Sequence, residues 1–179
     1  MYLRCVEFIG KPEKEVPEDI MMIVAAAVTQ LTFGLEDYRL SKFERIVIYP
    51  HPFPSPQYKE HVHNSEIFEE DGVLLFSVDP LLAAFRFPHK YYNLALHEYA
   101  KVFMLSYPNK EYPMDPEKLW EHFEMMGAYK KEQLMKYIGL PEVDAVATSI
   151  NYFFSFPQMF QKELPQLFER YKTIFNQDP

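Results

Sequence analysis

The chain carries one cysteine, Cys5, in 179 residues. No intrachain disulfide can form, which fits a reducing compartment, and we expect a cytoplasmic protein. Glycine is scarce, five residues against fifteen prolines, a composition that gives firm loops rather than flexible linkers. Basic runs are missing: 18 Lys and Arg stand against 26 Asp and Glu, a formal net charge of −8. That balance speaks against nucleic acid as a partner, because neutralising phosphates needs basic clusters. The longest apolar run, residues 20–28, falls well short of the roughly 20 residues of a bilayer span, so no membrane span is expected. The first residues lack the charged start, apolar segment and small-residue cleavage site of a signal peptide, and none is expected. There is no Gly-rich phosphate loop and no G-x-S-x-G elbow. Cys5, beside the chain start, is poorly placed for a nucleophile.

What is present suits a soluble globular protein. The apolar fraction is 48% and the charged fraction 25%. The aromatic share of 17% predicts a core rich in rings. With no repeat, low-complexity tract or composition break, residues 1–179 read as one domain.

Local signals order the elements. Pro17, followed by Glu18 and Asp19, opens a helix that runs to about Phe33 with Gly34 as its stop; its apolar residues lie on nearly all sides, which predicts deep burial. Ile46, Val47 and Ile48 mark a strand over 45–49, and 73–78 reads as a second. Between them Pro50, Pro52, Pro54 and Pro56 force a loop, and 79–90 reads as irregular or partly helical. Further helices are predicted over 93–106, 116–126, 130–137, from Pro141 to 155, and from Pro165 to 176. A few early strands followed by helices give an α+β pattern.

The helix over 93–106 holds His97-Glu98-Tyr99-Ala100-Lys101. In H-E-x-x-H, two histidines at i and i+4 share a helical face and bind zinc, while the glutamate activates the bound water. Here the second histidine is replaced by Lys101, whose protonated ammonium has three donors and no lone pair. The helix opened by Pro141 adds a polar stripe of Asp144, Thr148, Asn151 and Ser155 opposite Val143, Val146, Ala147 and Ile150, which suggests a cavity wall. Tyr137, seven residues before Asp144, can project a phenol into the same space.

These residues, with their flanks, resemble the Mlc titration factor A zinc-dependent peptidases, whose site is similar to that of the anthrax lethal factor catalytic domain. The likeness spans nearly the whole chain. It rests on residues 25–35, on Ile46-Val47-Ile48-Tyr49-Pro50, on Asn93-Leu94-Ala95-Leu96-His97-Glu98, on Tyr152-Phe153-Phe154 through Pro157, on Pro165-Gln166-Leu167-Phe168 and on the closing Asn176-Gln177-Asp178-Pro179. It implies a zincin-like α+β domain, a small sheet packed on several helices with the His97 helix central. It also implies zinc-dependent peptide hydrolysis on aminopeptidase-type substrates. Carried over, His97 stands at the first metal ligand, Glu98 at the general base, Lys101 at the replaced second ligand, Asp144 at the family's glutamate ligand and Tyr137 at the intermediate-stabilising tyrosine. Asn151 lies where members often have another acid.

Each position also has a plain structural reading: a core histidine at His97, a solvated helix pair for Glu98 and Lys101, a first-turn acid at Asp144, a packing ring at Tyr137. Zinc needs three protein ligands as a rule, and His97 with Asp144 supplies two beside a cation. No cofactor is therefore expected, with zinc the exception if the site still functions. We expect the Lys101 ammonium to fill the metal's space and to bond Asp144, Glu98 or Tyr137. The leading functional expectation is a non-catalytic pseudo-peptidase that binds a peptide or protein partner in its cleft or regulates one. The alternatives are an active zinc metallopeptidase with an altered site and a structural protein-interaction domain. Separately, His61 and His63 alternate on an extended segment beside Glu60 and Glu66 and could chelate a metal; an incidental surface pair is the simpler expectation.

Overall fold

The computed structural model describes residues 6–12, 15–35, 40, 42–113 and 115–179. Cys5 lies outside the described residues. The architecture is α+β: a small mixed sheet of four strands and, among the described residues, eight α-helices. The strands are β1 (Glu7–Gly10), β2 (Arg45–Tyr49), β3 (Ser65–Phe68) and β4 (Val73–Ser77). The helices are α1 (Glu18–Thr32), α2 (Val78–Arg86), α3 (Leu94–Ser106), α4 (Pro116–Met125), α5 (Lys131–Ile138), α6 (Ala145–Ser155), α7 (Pro157–Glu163) and α8 (Pro165–Phe175).

The sheet order is β1-β2-β4-β3. β1, β2 and β4 run parallel, while β3 is antiparallel to β4 and forms one edge. Register aligns Phe8 with Ile46, Ile46 with Leu74, and Leu74 with Ile67. Side chains alternate across a strand, so this row shares one face of the sheet. Ile46, Ile48, Leu74 and Phe76 are buried in the core. The same alternation separates two neighbours on β3. Ser65, opposite Phe76, lies on the core face, and Glu66, opposite Leu75, lies on the other.

α3 packs against α1, α2, α6 and β3. Its buried residues run without a break from Leu94 to Ala100 and continue at Val102 and Phe103. A helix apolar on most sides belongs at the centre, and here it sits between sheet and helices. Asn93 starts it: its side chain accepts a hydrogen bond from the Leu96 amide at 3.1 Å, satisfying one of the free first-turn donors. Around α3 the core is aromatic as expected, with Phe153 ringed by Phe154, Phe160, Phe168, Tyr171 and Phe175.

Several boundaries differ from the sequence expectation. Pro17 is the N-cap of α1 rather than its first helical residue. α1 ends at Thr32 and passes into a 3-10 turn, Phe33–Leu35. Gly34 is needed there for proximity rather than as a left-handed stop: a Cβ on it would lie 2.2 Å from the Asn176 carbonyl oxygen. α1 is also not buried on all sides, since Met22 is 54% exposed and Ala26, four residues on, shares that open edge. By length and composition Glu18–Leu35 is apolar enough to cross a membrane, yet Val24, Val28 and Leu31 are wholly buried and α1 packs on α2 and α3. Residues 79–86 are helical within α2. α6 begins at Ala145, leaving Pro141 outside and Asp144 as its N-cap. Residues 1–16 read from the sequence as extended or irregular, and β1 forms within them; β3 and α7 carry no separate expectation from the sequence.

Candidate functional site

α3 delivers three of the expected site residues. His97 and Glu98 are buried, 2% and 1% exposed, at the middle of the molecule. Lys101, one turn on, reaches back and places its Nζ 2.9 Å from Glu98 Oε2. The other carboxylate oxygen, Oε1, accepts a hydrogen bond from the Ser65 hydroxyl at 2.6 Å. Both Glu98 oxygens are thus occupied, one by the sheet and one by the cation.

Electrostatics follow this geometry. Burial alone would push the Glu98 carboxyl up, but the Lys101 charge, with His97 and the Ser65 bond, holds it below its usual value. Burial would pull the Lys101 ammonium down, and the Glu98 carboxylate outweighs it, so its pKa lies above the usual value. The pair is therefore ionised at neutral pH. The solvated helix pair of the plain reading is corrected here, because a buried carboxylate requires its partner.

His97 belongs to a second chain of contacts. Its Nδ1 lies 2.7 Å from the Tyr92 hydroxyl. Tyr92 donates to Thr148 Oγ1 at 3.3 Å, and Thr148 donates to the Asp144 carbonyl at 2.8 Å. We assign the proton of neutral His97 to Nδ1, because Tyr92 spends its own proton on Thr148 and each bond then has one donor and one acceptor; Nε2 keeps its lone pair. Burial, reinforced by the Lys101 charge, lowers the His97 pKa to about 4, so the ring is neutral at pH 7. Burial also raises the Tyr92 phenol well above its ordinary value.

Asp144 and Tyr137 stand at the margin of this constellation. Asp144 is exposed, and its Oδ1 accepts the Ala147 amide at 2.8 Å as the cap of α6. No ion pair joins it to Lys101 among the described residues; of the three partners expected for the ammonium, Glu98 is the one bonded. Tyr137 turns its hydroxyl to the Tyr92 carbonyl at 3.4 Å, and its own carbonyl accepts from the Asn64 side chain at 2.7 Å. The polar stripe on α6 divides: Thr148, Asn151 and Ser155 form a seam against α3 and the residues just ahead of it, while Asp144 lines a cavity. Asn151 donates to the Asn93 carbonyl at 2.6 Å, and Ser155 donates to Asn151 at 3.2 Å.

The donor set does not fit zinc. His97 offers one lone pair, both Glu98 oxygens are bonded, Asp144 spends one oxygen on its cap, and Lys101 brings positive charge to the remaining position. Among the described residues no group of three or more His, Cys, Asp or Glu is placed to hold a metal. His61 and His63 also part company. His61 is exposed, whereas His63 is fully buried with Nε2 3.0 Å from Glu66 Oε2, which corrects the expected surface pair.

A cavity of about 510 Å³ opens beside the Lys101–Glu98 pair, and Lys101, Asp144, Glu69, Ile67, Met104 and Leu105 contribute to its walls. Tyr92 and Ser65 are the site residues that sequence reasoning missed. Tyr92 lies just ahead of the Asn93 cap, and no spacing rule marks it. Ser65 is found only once the short edge strand β3 and its alternation are known. No protein-family model and no curated protein matches the chain.

Proposed function

We propose that this protein is a non-catalytic, pseudo-peptidase relative of the Mlc titration factor A family, with a zincin-like fold, that uses the cleft beside α3 to bind a peptide or protein partner or to regulate one. The observation that carries this reading is the Lys101 ammonium, 2.9 Å from Glu98 Oε2. A general base needs a free lone pair near the proton it takes and a pKa near the working pH. Glu98 is poorly suited to that role: each of its oxygens already accepts a hydrogen bond, from Ser65 and from Lys101, and its pKa is lowered away from neutrality. In place of a metal's positive charge, the ammonium supplies the one that Glu98 requires. The cation is part of the chain, so the pair needs no cofactor to stay neutral overall.

The test is metal content. Protein purified with zinc present and then desalted should carry far less than one zinc per chain. Near-stoichiometric zinc that disappears in His97→Ala would overturn the proposal. The double variant Lys101→His with Asp144→Glu supplies the missing ligand and the longer carboxylate, and should gain zinc affinity over the parent.

A further inference from the structure

The cavity next to the ion pair has an apolar floor and an acidic rim. Ile67 comes from β3, Met104 and Leu105 from the last turns of α3. Glu69 follows β3, and Asp144 caps α6. Lys101 is the cation of this wall, and its charge is already balanced by Glu98 at 2.9 Å. Glu69 and Asp144 are both exposed. Neither forms an ion pair among the described residues. Asp144 gives one oxygen, Oδ1, to the Ala147 amide; Oδ2 has no hydrogen-bond donor among the described residues. A ligand that satisfies this cavity carries positive charge at one end and aliphatic surface beside it.

Deepening the reading of the cleft as a binding site, we infer that it takes a basic side chain with an aliphatic neighbour from a partner peptide, the guanidinium or ammonium lying between Glu69 and Asp144 and the aliphatic group against Ile67, Met104 and Leu105. About 510 Å³ accommodates two side chains of that size. An acidic ligand is disfavoured, since it meets two carboxylates, and the lysine that would attract it is already paired. Recognition in this arrangement falls on side chains and does not need a free peptide amine.

The experiment is fluorescence anisotropy with a labelled hexapeptide of alternating leucine and arginine, acetylated and amidated at its ends, with a chelator present throughout. The arginine peptide should bind saturably. Its counterpart with citrulline, a neutral isostere, should bind about fivefold more weakly, the upper end of the scale of one partly exposed charge pair, and the glutamate counterpart should not saturate. Asp144→Asn keeps the helix cap, because asparagine caps as well as aspartate, and should weaken binding about fivefold, as should Glu69→Gln. Glu121→Gln, an exposed acid on α4 outside the cavity, should leave affinity unchanged. The inference is overturned if the arginine peptide fails to bind, if citrulline binds equally, or if Glu121→Gln weakens binding as much as the two cavity variants do. Zinc content is read separately, so a zinc-loaded protein would sink the non-catalytic reading whatever the peptides do, and loss of peptide binding would leave that reading intact.

Discussion

The Ser65 hydroxyl lies 2.6 Å from Glu98 Oε1 and donates to it, tying the edge strand of the sheet to the middle of the central helix. Both residues are buried, so the bond forms where water cannot replace it. Ser65→Ala should therefore cost about 1.5–3 kcal/mol in chemical denaturation, the scale of a hydrogen bond to a charged group. The variant should also raise the Glu98 pKa, because one of the groups that holds it down is gone. Unchanged stability would mean that Glu98 draws nothing from the sheet.

Lys101 is the other partner of Glu98. Removing it leaves the Glu98 carboxylate buried without its cation. Lys101 is 29% exposed, so water partly compensates, and Lys101→Met should cost about 2 kcal/mol rather than the full penalty of a deep pair. Adding Glu98→Gln to that variant removes the stranded charge and should restore most of the loss. A cost below about 1 kcal/mol for Lys101→Met would place this pair with ordinary surface ion pairs.

Legibility in the sequence follows the length and periodicity of each element. α4 and α8 are readable because each carries a repeating apolar face and an opening Pro, and α3 because a largely apolar run follows the capping Asn93. β2 is readable from three consecutive β-branched residues. β3 is not: it has four residues, and Glu66 interrupts its apolar character. α7 has seven residues, too few for a helical period to stand out. The site divides the same way. His97, Glu98 and Lys101 are close in sequence and helix geometry brings them to one place. Ser65 is 33 positions from Glu98, and Thr148 is 56 from Tyr92; only tertiary packing brings them together. The sequence pattern places Asp144 in the first helical turn, whereas the helix starts one residue later and its side chain serves as the cap.

Gly34 offers a test of packing at the junction of α1 and α8. A Cβ there would meet the backbone oxygens of Asn176 at 2.2 Å and Phe175 at 2.5 Å. Backbone cannot rotate away as a side chain can, so Gly34→Ala should cost more than about 2 kcal/mol and lower Tm by several degrees. Gly127 is the comparison. It has φ 67°, but a Cβ added to it would meet nothing within 4 Å, so Gly127→Ala should cost only about 1 kcal/mol, from the left-handed backbone alone. Equal losses in the two variants would contradict the crowding at Gly34.

The pH dependence should report His97. Its folded pKa, near 4, lies below the ordinary value of 6.5 because burial disfavours the charged ring. Between those values the unfolded chain binds a proton that the folded chain does not, so acidification favours unfolding. Stability is fully present above pH 6.5 and should fall as pH drops toward 4, by on the order of 3 kcal/mol across the window. Glu98 acts in a separate, lower window. Its folded pKa is also depressed from 4.5, so its contribution is lost only as pH falls below that value. His97→Gln keeps an amide that can donate to Tyr92 and removes the titrating ring. Urea midpoints measured from pH 7 to 4.5 should slope downward in the parent and be much flatter in this variant, even if it is less stable at pH 7. The same slope in both proteins would show that His97 is not held neutral in the folded state.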